Sequence, residues 1–321
     1  CSSDLIRWSN SVKPALGGIS FYLTFLILFL LSDLLLSAPF DNFSTVGRIA
    51  FLCSLTIAFL LGLSDDAFDT KPLIKFSAQV VCSILLILGG IKINCFESEF
   101  LNYAMTSLWV VAIMNSFNML DNMDAIATVT AIGIISYFIL ADFSIHHTAT
   151  IFSLILCGIL ACLIGFLYFN WHPSKMFMGD TGSQFIGALL AVGGIKFCWN
   201  YPTAAIGELV LFSPLKNLTL VYLIFLLPIS DTTSVFINRI LKGNSPFVGG
   251  KDHTTHHLFF NGITEKKIAI LFLGLTVTGG FLALKMNETG KLTPVQIVPY
   301  LIFPCLTSIF LYLFTVIKKR K

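Results

Sequence analysis

Residues 149–169 read ATIFSLILCGILACLIGFLYF, twenty-one positions without a charged residue or a histidine. A helix rises about 1.5 Å per residue, so this run alone makes a rod of about 30 Å, the thickness of a bilayer's hydrocarbon core. The same texture recurs along the chain. Further apolar runs lie at Gly18–Ser37, Ile49–Leu63, Phe76–Ile91, Ala104–Met119 and Ala125–Ala141 before it. After it come Ser183–Trp199, Leu218–Ile237, Ile268–Lys285 and Val295–Ile317. These ten runs predict an all-α polytopic transmembrane helical bundle of about ten spans. Residues 1–321 read as a single integral-membrane domain, because the longest polar connection, Asn238–Lys267, is too short for a soluble one.

Composition agrees. Of 321 residues 56% are hydrophobic and 12% charged, against about 25% charged in a soluble domain. Mean hydropathy is +0.86. These values exclude an ordinary soluble enzyme, a disordered chain and a small secreted disulfide scaffold. The apolar runs are continuous rather than alternating, which argues against a transmembrane β-barrel. The net charge of +3 does not point to nucleic acid. The eight cysteines form no CxxC pair and lie mostly in apolar runs, where Cys is a small packing residue.

Ten spans alternate the connections between two sides. Fourteen of the twenty Lys and Arg residues fall on the side of the N-terminal segment. By the positive-inside rule that side is cytoplasmic. The clustered acids and histidines fall on the same side. Carboxylates at the ends of apolar helices are costly and mark polar sites, so a single polar site at the cytoplasmic face is expected.

Four clusters carry the chemistry. Asp65-Asp66-Ala67-Phe68-Asp69 is followed by Lys71, Lys75 and Gln79. Adjacent carboxylates repel unless a cation lies between them, so this run suits a magnesium or phosphate-handling site. A charged loop with an internal salt bridge is the plainer alternative. Asn115, Asn118, Asp121 and Asp124 recur every three residues, which on a helix gives one slowly drifting polar face. Gly179-Asp180-Thr181-Gly182-Ser183 opens a helix. Its glycines admit an anion to backbone amides, or Thr181 or Ser183 simply caps the helix. The fourth cluster is a long loop holding Asp231, Arg239, Ser245-Pro246-Phe247, Lys251-Asp252-His253 and His256-His257. It reads as an anion or substrate pocket, as a zinc site, or as structure only.

Taken together and in order, these segments resemble the polyprenyl-phosphate N-acetylhexosamine-1-phosphate transferases of glycosyltransferase family 4 type. The resemblance also includes Pro14-Ala15-Leu16-Gly17-Gly18 and covers nearly the whole chain. The nearest pattern is the bacterial branch, undecaprenyl-phosphate GlcNAc-1-phosphate transferase-like. Family members usually carry one more helix before the Pro14 segment, which would give eleven spans. The resemblance implies a phosphotransferase of the bacterial cytoplasmic (inner) membrane. It would move N-acetylhexosamine-1-phosphate from a UDP-N-acetylhexosamine such as UDP-GlcNAc to undecaprenyl phosphate and release UMP. That step starts a cell-wall, lipopolysaccharide or other envelope polysaccharide. Membrane lipid is a partner, nucleic acid is not, and a homodimer is compatible with the pattern.

The same resemblance implies roles. Mg²⁺, with Mn²⁺ as a substitute, would be held by Asn118 and Asp180. Asp65, Asp66 and Asp121 would be catalytic, Asp65 or Asp66 orienting or deprotonating the lipid phosphate. Lys75, Asn115, Asp124, Arg239, His253, His256 and His257 would bind substrate. Two departures stand out. The family's DGxDG is here Asp121-Asn122-Met123-Asp124-Ala125, and its HxHH is His253-Thr254-Thr255-His256-His257, one residue longer. The rival readings are an ion-coupled secondary transporter, which places acids at mid-bilayer, and a membrane metallohydrolase built on the histidine loop.

Overall fold

The computed structural model describes residues 13–35, 44–201, 213–245, 250, 252–289 and 292–316. Among these residues there are helices and no strands. In chain order they are α1 (Gly17–Leu35), α2 (Thr45–Phe68), α3 (Pro72–Leu88), α4 (Glu99–Leu120), α5 (Ile126–His146) and α6 (Ile151–Asn170). Then follow α7 (Gly179–Gly194, continued by a π-helical turn over Ile195–Trp199), α8 (Ser213–Ile224) and α9 (Leu226–Leu241). The last are α10 (Thr254–Phe260), α11 (Glu265–Glu288) and α12 (Pro294–Val316).

Local signals set many of the ends. Ser44 caps α2, accepting from the Gly47 N–H at 3.0 Å, and Asp69 closes it in a left-handed conformation, φ 52°. Pro72 starts α3, where a missing N–H costs nothing. Thr150 and Ser153 form a reciprocal capping box on α6.

Among the described residues seven helices are long and apolar enough to cross a membrane, or eight when α8 and α9, bent by 83° at their junction, are counted as one span, against the ten or so expected. The apolar parts of α1 and α3 are shorter. The order of the predicted runs is therefore reproduced, but one is not the continuous helix expected. Leu218–Ile237 bends by 83° between Ile224 and Leu226. Pro228 supplies the reason: it has no N–H to donate to the Ile224 carbonyl, so the helix must restart.

The α7 helix runs through the centre, packed by α1, α2, α4 and α5. Its neighbours approach closely through glycine. A Cβ on Gly62 of α2 would lie 2.2 Å from the Asp180 carbonyl oxygen, and one on Gly18 of α1 would lie 2.2 Å from the Gly182 nitrogen. Away from this end the core is aromatic. Phe25, Phe51, Phe152, Phe197, Phe138, Phe225 and Trp109 form a chain with successive ring centroids 4.8–6.2 Å apart. Such pairs add about 0.5–1.5 kcal/mol each beyond their buried area. Outward faces are also apolar: Leu30, Ile49, Leu108, Ile164, Ile270 and Leu306 are all exposed. A soluble protein does not present such a surface; the chain is a multi-pass membrane protein.

Polar contacts gather at the two ends. At one, Asp142 is fully buried against Thr150, His146 and Lys196, a structural arrangement. The other end holds the four clusters.

Candidate active site

The site is built on the N-terminus of α7. The chain enters through Gly179, whose φ of +74° is a glycine conformation. The first amides of α7 are not capped by Thr181 or Ser183, as the local sequence suggests. They are capped by Asp66, one turn beyond Gly62 on α2. Asp66 Oδ1 accepts the Asp180 N–H at 2.9 Å. Its Oδ2 accepts both the Thr181 N–H at 2.9 Å and the Thr181 hydroxyl at 2.6 Å.

Asp65, the neighbouring residue, is held differently. Its Oδ1 accepts the N–H and the hydroxyl of Thr70 at 2.9 and 2.8 Å. Its Oδ2 pairs with Lys75 of α3. Lys75 Nζ also lies 3.6 Å from Asp180 Oδ2, and the Asp65 and Asp180 carboxylates are within hydrogen-bond reach of each other. From α4, Asn118 Nδ2 donates to Asp180 Oδ1 at 2.9 Å and to Ser183 Oγ at 2.8 Å. Three helices thus converge on Asp180.

The polar stripe is only half helical. Asn115 and Asn118 lie on α4, but the helix ends at Leu120. Asp121 and Asp124 fall in the following loop, so the single face expected from the spacing is not formed. Asn115 exchanges hydrogen bonds with Gln79 (2.6 and 3.2 Å), and Gln79 also donates to Gln184 at 3.1 Å. Asp121 is half-buried. Burial, and then the charges of Asp66 and Asp124, push its carboxyl up to about 7.

Asp124 turns away, toward the segment after α6. It accepts the Ser174 N–H at 2.9 Å, the Ser174 hydroxyl at 2.7 Å and His172 Nδ1 at 3.0 Å. His172 Nδ1 also lies 2.7 Å from Glu265. Among the described residues, Asp124, His172 and Glu265 are a grouping compact enough for a metal ion. The histidine between two carboxylates also accounts for it as an ion-pair network.

The histidine loop sits beside the same end. Asp231 of α9 accepts from His253 Nδ1 at 2.7 Å, and from the N–H and hydroxyl of Thr254 at 2.8 and 2.6 Å. Arg239 grips Asp252 with two bonds of 2.7 Å, which holds the Asp252 carboxyl below its ordinary value against the cost of burial. Thr255 donates to Asn122 at 2.6 Å. His256 is buried, and burial with the charge of His253 lowers it to about 4. His257 is half-buried and also lowered, chiefly by burial. Residues 246–249 and Lys251, which the sequence reading includes in this loop, lie outside the described residues.

The anchoring roles of several residues are not apparent from local spacing. Asp231, Thr181, Ser174 and Thr254 act as anchors. Asn170 accepts from the Ala125 N–H at 3.0 Å and the Thr128 hydroxyl at 2.7 Å, fixing the start of α5. Gln184, one turn beyond Asp180, could have been found from helical spacing.

For a divalent cation the donors are of the right kind. Asp180, the amide oxygen of Asn118 and the carboxylate of Asp121 are hard oxygen ligands. The crowding of Asp65 against Asp180, and of Asp121 with Asp66 and Asp124, leaves negative charge that a cation relieves.

Comparison with known proteins shows what the chain is similar to. The profile described as glycosyl transferase family 4 matches residues 48–198, a stretch running from before Asp65 to beyond Asp180. The chain is 26% identical over 274 residues to the probable undecaprenyl-phosphate N-acetylglucosaminyl 1-phosphate transferase of Bacillus subtilis, covering 82% of this chain and 71% of that protein. It is 29% identical over 282 residues to the decaprenyl-phosphate N-acetylglucosaminephosphotransferase of Mycobacterium leprae, covering 80% and 69%. It is 29% identical over 300 residues to the phospho-N-acetylmuramoyl-pentapeptide-transferase of Carboxydothermus hydrogenoformans, covering 84% and 82%. The chain is similar to glycosyl transferase family 4 over residues 48–198 and to these transferases along most of its length, and it is an enzyme of sugar-phosphate transfer.

Proposed function

We propose that the enzyme transfers N-acetylhexosamine-1-phosphate from a UDP-sugar to undecaprenyl phosphate at the cytoplasmic face of a bacterial inner membrane. A phosphate oxygen of the lipid attacks the β-phosphorus of the donor. The bond from that phosphorus to the bridging oxygen breaks, and UMP leaves with the oxygen. The observation that carries the reading is the meeting of Asp65, Lys75, Asn118 and Asp180 at the N-terminus of α7. The names of the relatives support the acceptor class and the sugar phosphate. The charge bias of the loops supports the cytoplasmic orientation.

Both substrates are anions, so catalysis rests on neutralising charge and aligning the reacting groups. Asp180 and Asn118, with Asp121 as a further candidate, would hold Mg²⁺, or Mn²⁺ in its place, which when bound would supply positive charge to the donor diphosphate. Lys75 adds a positive charge between Asp65 and Asp180 on the acceptor side. Asp65, fixed by Thr70, orients the lipid phosphate and takes its residual proton. Asp66 acts from behind, setting the first turn of α7 and with it Asp180. Asn115 contacts the nucleotide or sugar, Asp124 steadies the loop after α4 against Ser174, and Arg239, His253, His256 and His257 hold the phosphate end. A buried, neutral His256 acts as a hydrogen-bonding group rather than a charge. The lipid tail lies along the apolar outer faces of the helices.

The test is purified protein with undecaprenyl phosphate, Mg²⁺ and a panel of UDP-sugars, scored by UMP release. Asp65→Asn and Asp180→Asn each lower the rate by on the order of 100-fold or more, the scale for a lost charged catalytic contact. Full activity in either variant removes that residue from the site.

A further inference from the structure

Two departures from the family pattern, the Asn at 122 and the extra residue between His253 and His256, meet in the fold. The Thr255 hydroxyl donates to Asn122 Oδ1 at 2.6 Å. On its other side, Asn122 Nδ2 donates to the Met119 carbonyl at 2.9 Å, tying the loop to the last turn of α4. Thr255 is fully buried. The next residue, His256, also senses the Asn122 backbone, a contact favouring its protonated form. The two threonines that separate His253 from His256 are thus anchored to different helices. Thr254 is tied to Asp231 on α9, and Thr255 reaches α4 through Asn122.

A glycine at 122, as the family pattern has, offers no side-chain acceptor. A four-residue histidine motif has no second threonine to donate. Without Asn122 the buried Thr255 hydroxyl loses this acceptor, at a cost, and without Thr255 the half-buried Asn122 loses this donor; together they satisfy each other. We propose that Asn122 and Thr255 form one positioning unit, which seats the first turn of α10 against the loop carrying Asp121 and so sets where His256 and His257 meet the sugar-phosphate donor. The unit touches no substrate and acts through the histidines. The inference deepens the proposed transferase reading and rests on it.

The experiment is steady-state kinetics on the full chain with UDP-GlcNAc and undecaprenyl phosphate, paired with hydrogen exchange of the α10 amides. Thr255→Val keeps shape and removes the hydroxyl; Thr255→Ser keeps the hydroxyl. Thr255→Val lowers kcat/KM for the donor by about tenfold, the scale of one buried hydrogen bond, while the acceptor KM stays within about twofold. Thr255→Ser restores donor kinetics. Asn122→Gly reproduces the Thr255→Val effect, and the double variant is no worse than the worse single one, as for two residues acting as a pair. Exchange of the α10 amides quickens in Thr255→Val and Asn122→Gly only. Donor kinetics unchanged in both variants overturn the inference. Faster exchange with unchanged kinetics reduces the pair to a structural tie and overturns it too. If the unmodified protein releases no UMP, the transferase reading fails instead. Exchange then still decides the tie: unaltered α10 protection in both variants overturns it.

Discussion

Asp66 and Thr181 are joined by two hydrogen bonds to one carboxylate oxygen: Oδ2 accepts the Thr181 N–H at 2.9 Å and its hydroxyl at 2.6 Å. A related grip, the N–H and hydroxyl of one residue on one carboxylate, recurs around the site. Asp65 takes the N–H and hydroxyl of Thr70, Asp124 those of Ser174 and Asp231 those of Thr254. Thr181 and Thr254 stand at the starts of α7 and α10, while Thr70 and Ser174 lie in the connections before α3 and α7. Most of these carboxylates therefore build the site before any substrate arrives. Asp180 differs: its carboxylate is steadied by the Asn118 amide and approached by Lys75.

If Asp66 chiefly caps α7, its substitution acts through structure. Asp66→Ala leaves two α7 amides and the Thr181 hydroxyl without this acceptor and costs about 1–2 kcal/mol of stability, the scale of a lost cap. Asp66→Asn keeps one acceptor oxygen and costs less. Thermal unfolding in detergent reads both. Equal stability of Asp66→Ala and the unmodified protein contradicts the capping role.

Gly62 sets the approach of α2 to α7. Gly62→Ala places a methyl 2.2 Å from the Asp180 carbonyl, so the helices must separate. The expected loss is about 1–3 kcal/mol, as for overpacked cores, together with a marked fall in activity. The unfolding midpoint and the turnover rate should fall together.

Ala125 occupies a left-handed conformation, φ 66°, at a position where the family pattern has glycine. Backbone strain of this kind costs about 1 kcal/mol or more, offset in part by the greater unfolded-state entropy of glycine. Ala125→Gly is neutral to stabilising, whereas β-branched Ala125→Val destabilises clearly. Unfolding midpoints that rank Val above Gly refute the strain argument.

His256 gives a pH dependence whose sign follows from burial. Its folded value of about 4 lies below the unfolded value of about 6.5. Between those limits the unfolded chain binds the extra proton, so acid favours unfolding. Stability is full above about pH 6.5 and falls as pH drops toward 4. His256→Gln flattens that part of the profile. The check is the unfolding midpoint measured from pH 4 to 8 in both proteins.

The spans were legible because continuous apolar runs need no tertiary information: Ala149–Phe169 lies almost wholly within α6. Asp65, Lys75, Asn118 and Asp180 were legible as a set because alternating spans bring the C-terminal ends of α2 and α4 and the N-terminal ends of α3 and α7 to the same side. The break at Phe225 had its signal in Pro228, which a search for apolar length passes over. The anchors were not legible. Asp66 and Thr181 are 115 residues apart, and Asp124 and Ser174 are 50 apart, so only packing brings them together. Asp124 was assigned to the polar face of a helix because its spacing allowed it. The chain left the helix at Leu120 and turned it toward Ser174.

The central claim is transfer of a phosphoryl-linked sugar rather than of the sugar alone. Donor labelled with ³²P in its β-phosphate tests it directly, with undecaprenyl phosphate as acceptor and Mg²⁺ present. The account predicts label in the lipid phase and an equal amount of UMP in the water phase, both lost in Asp180→Asn. Label remaining in the water phase as UDP or inorganic phosphate, with sugar alone on the lipid, contradicts it.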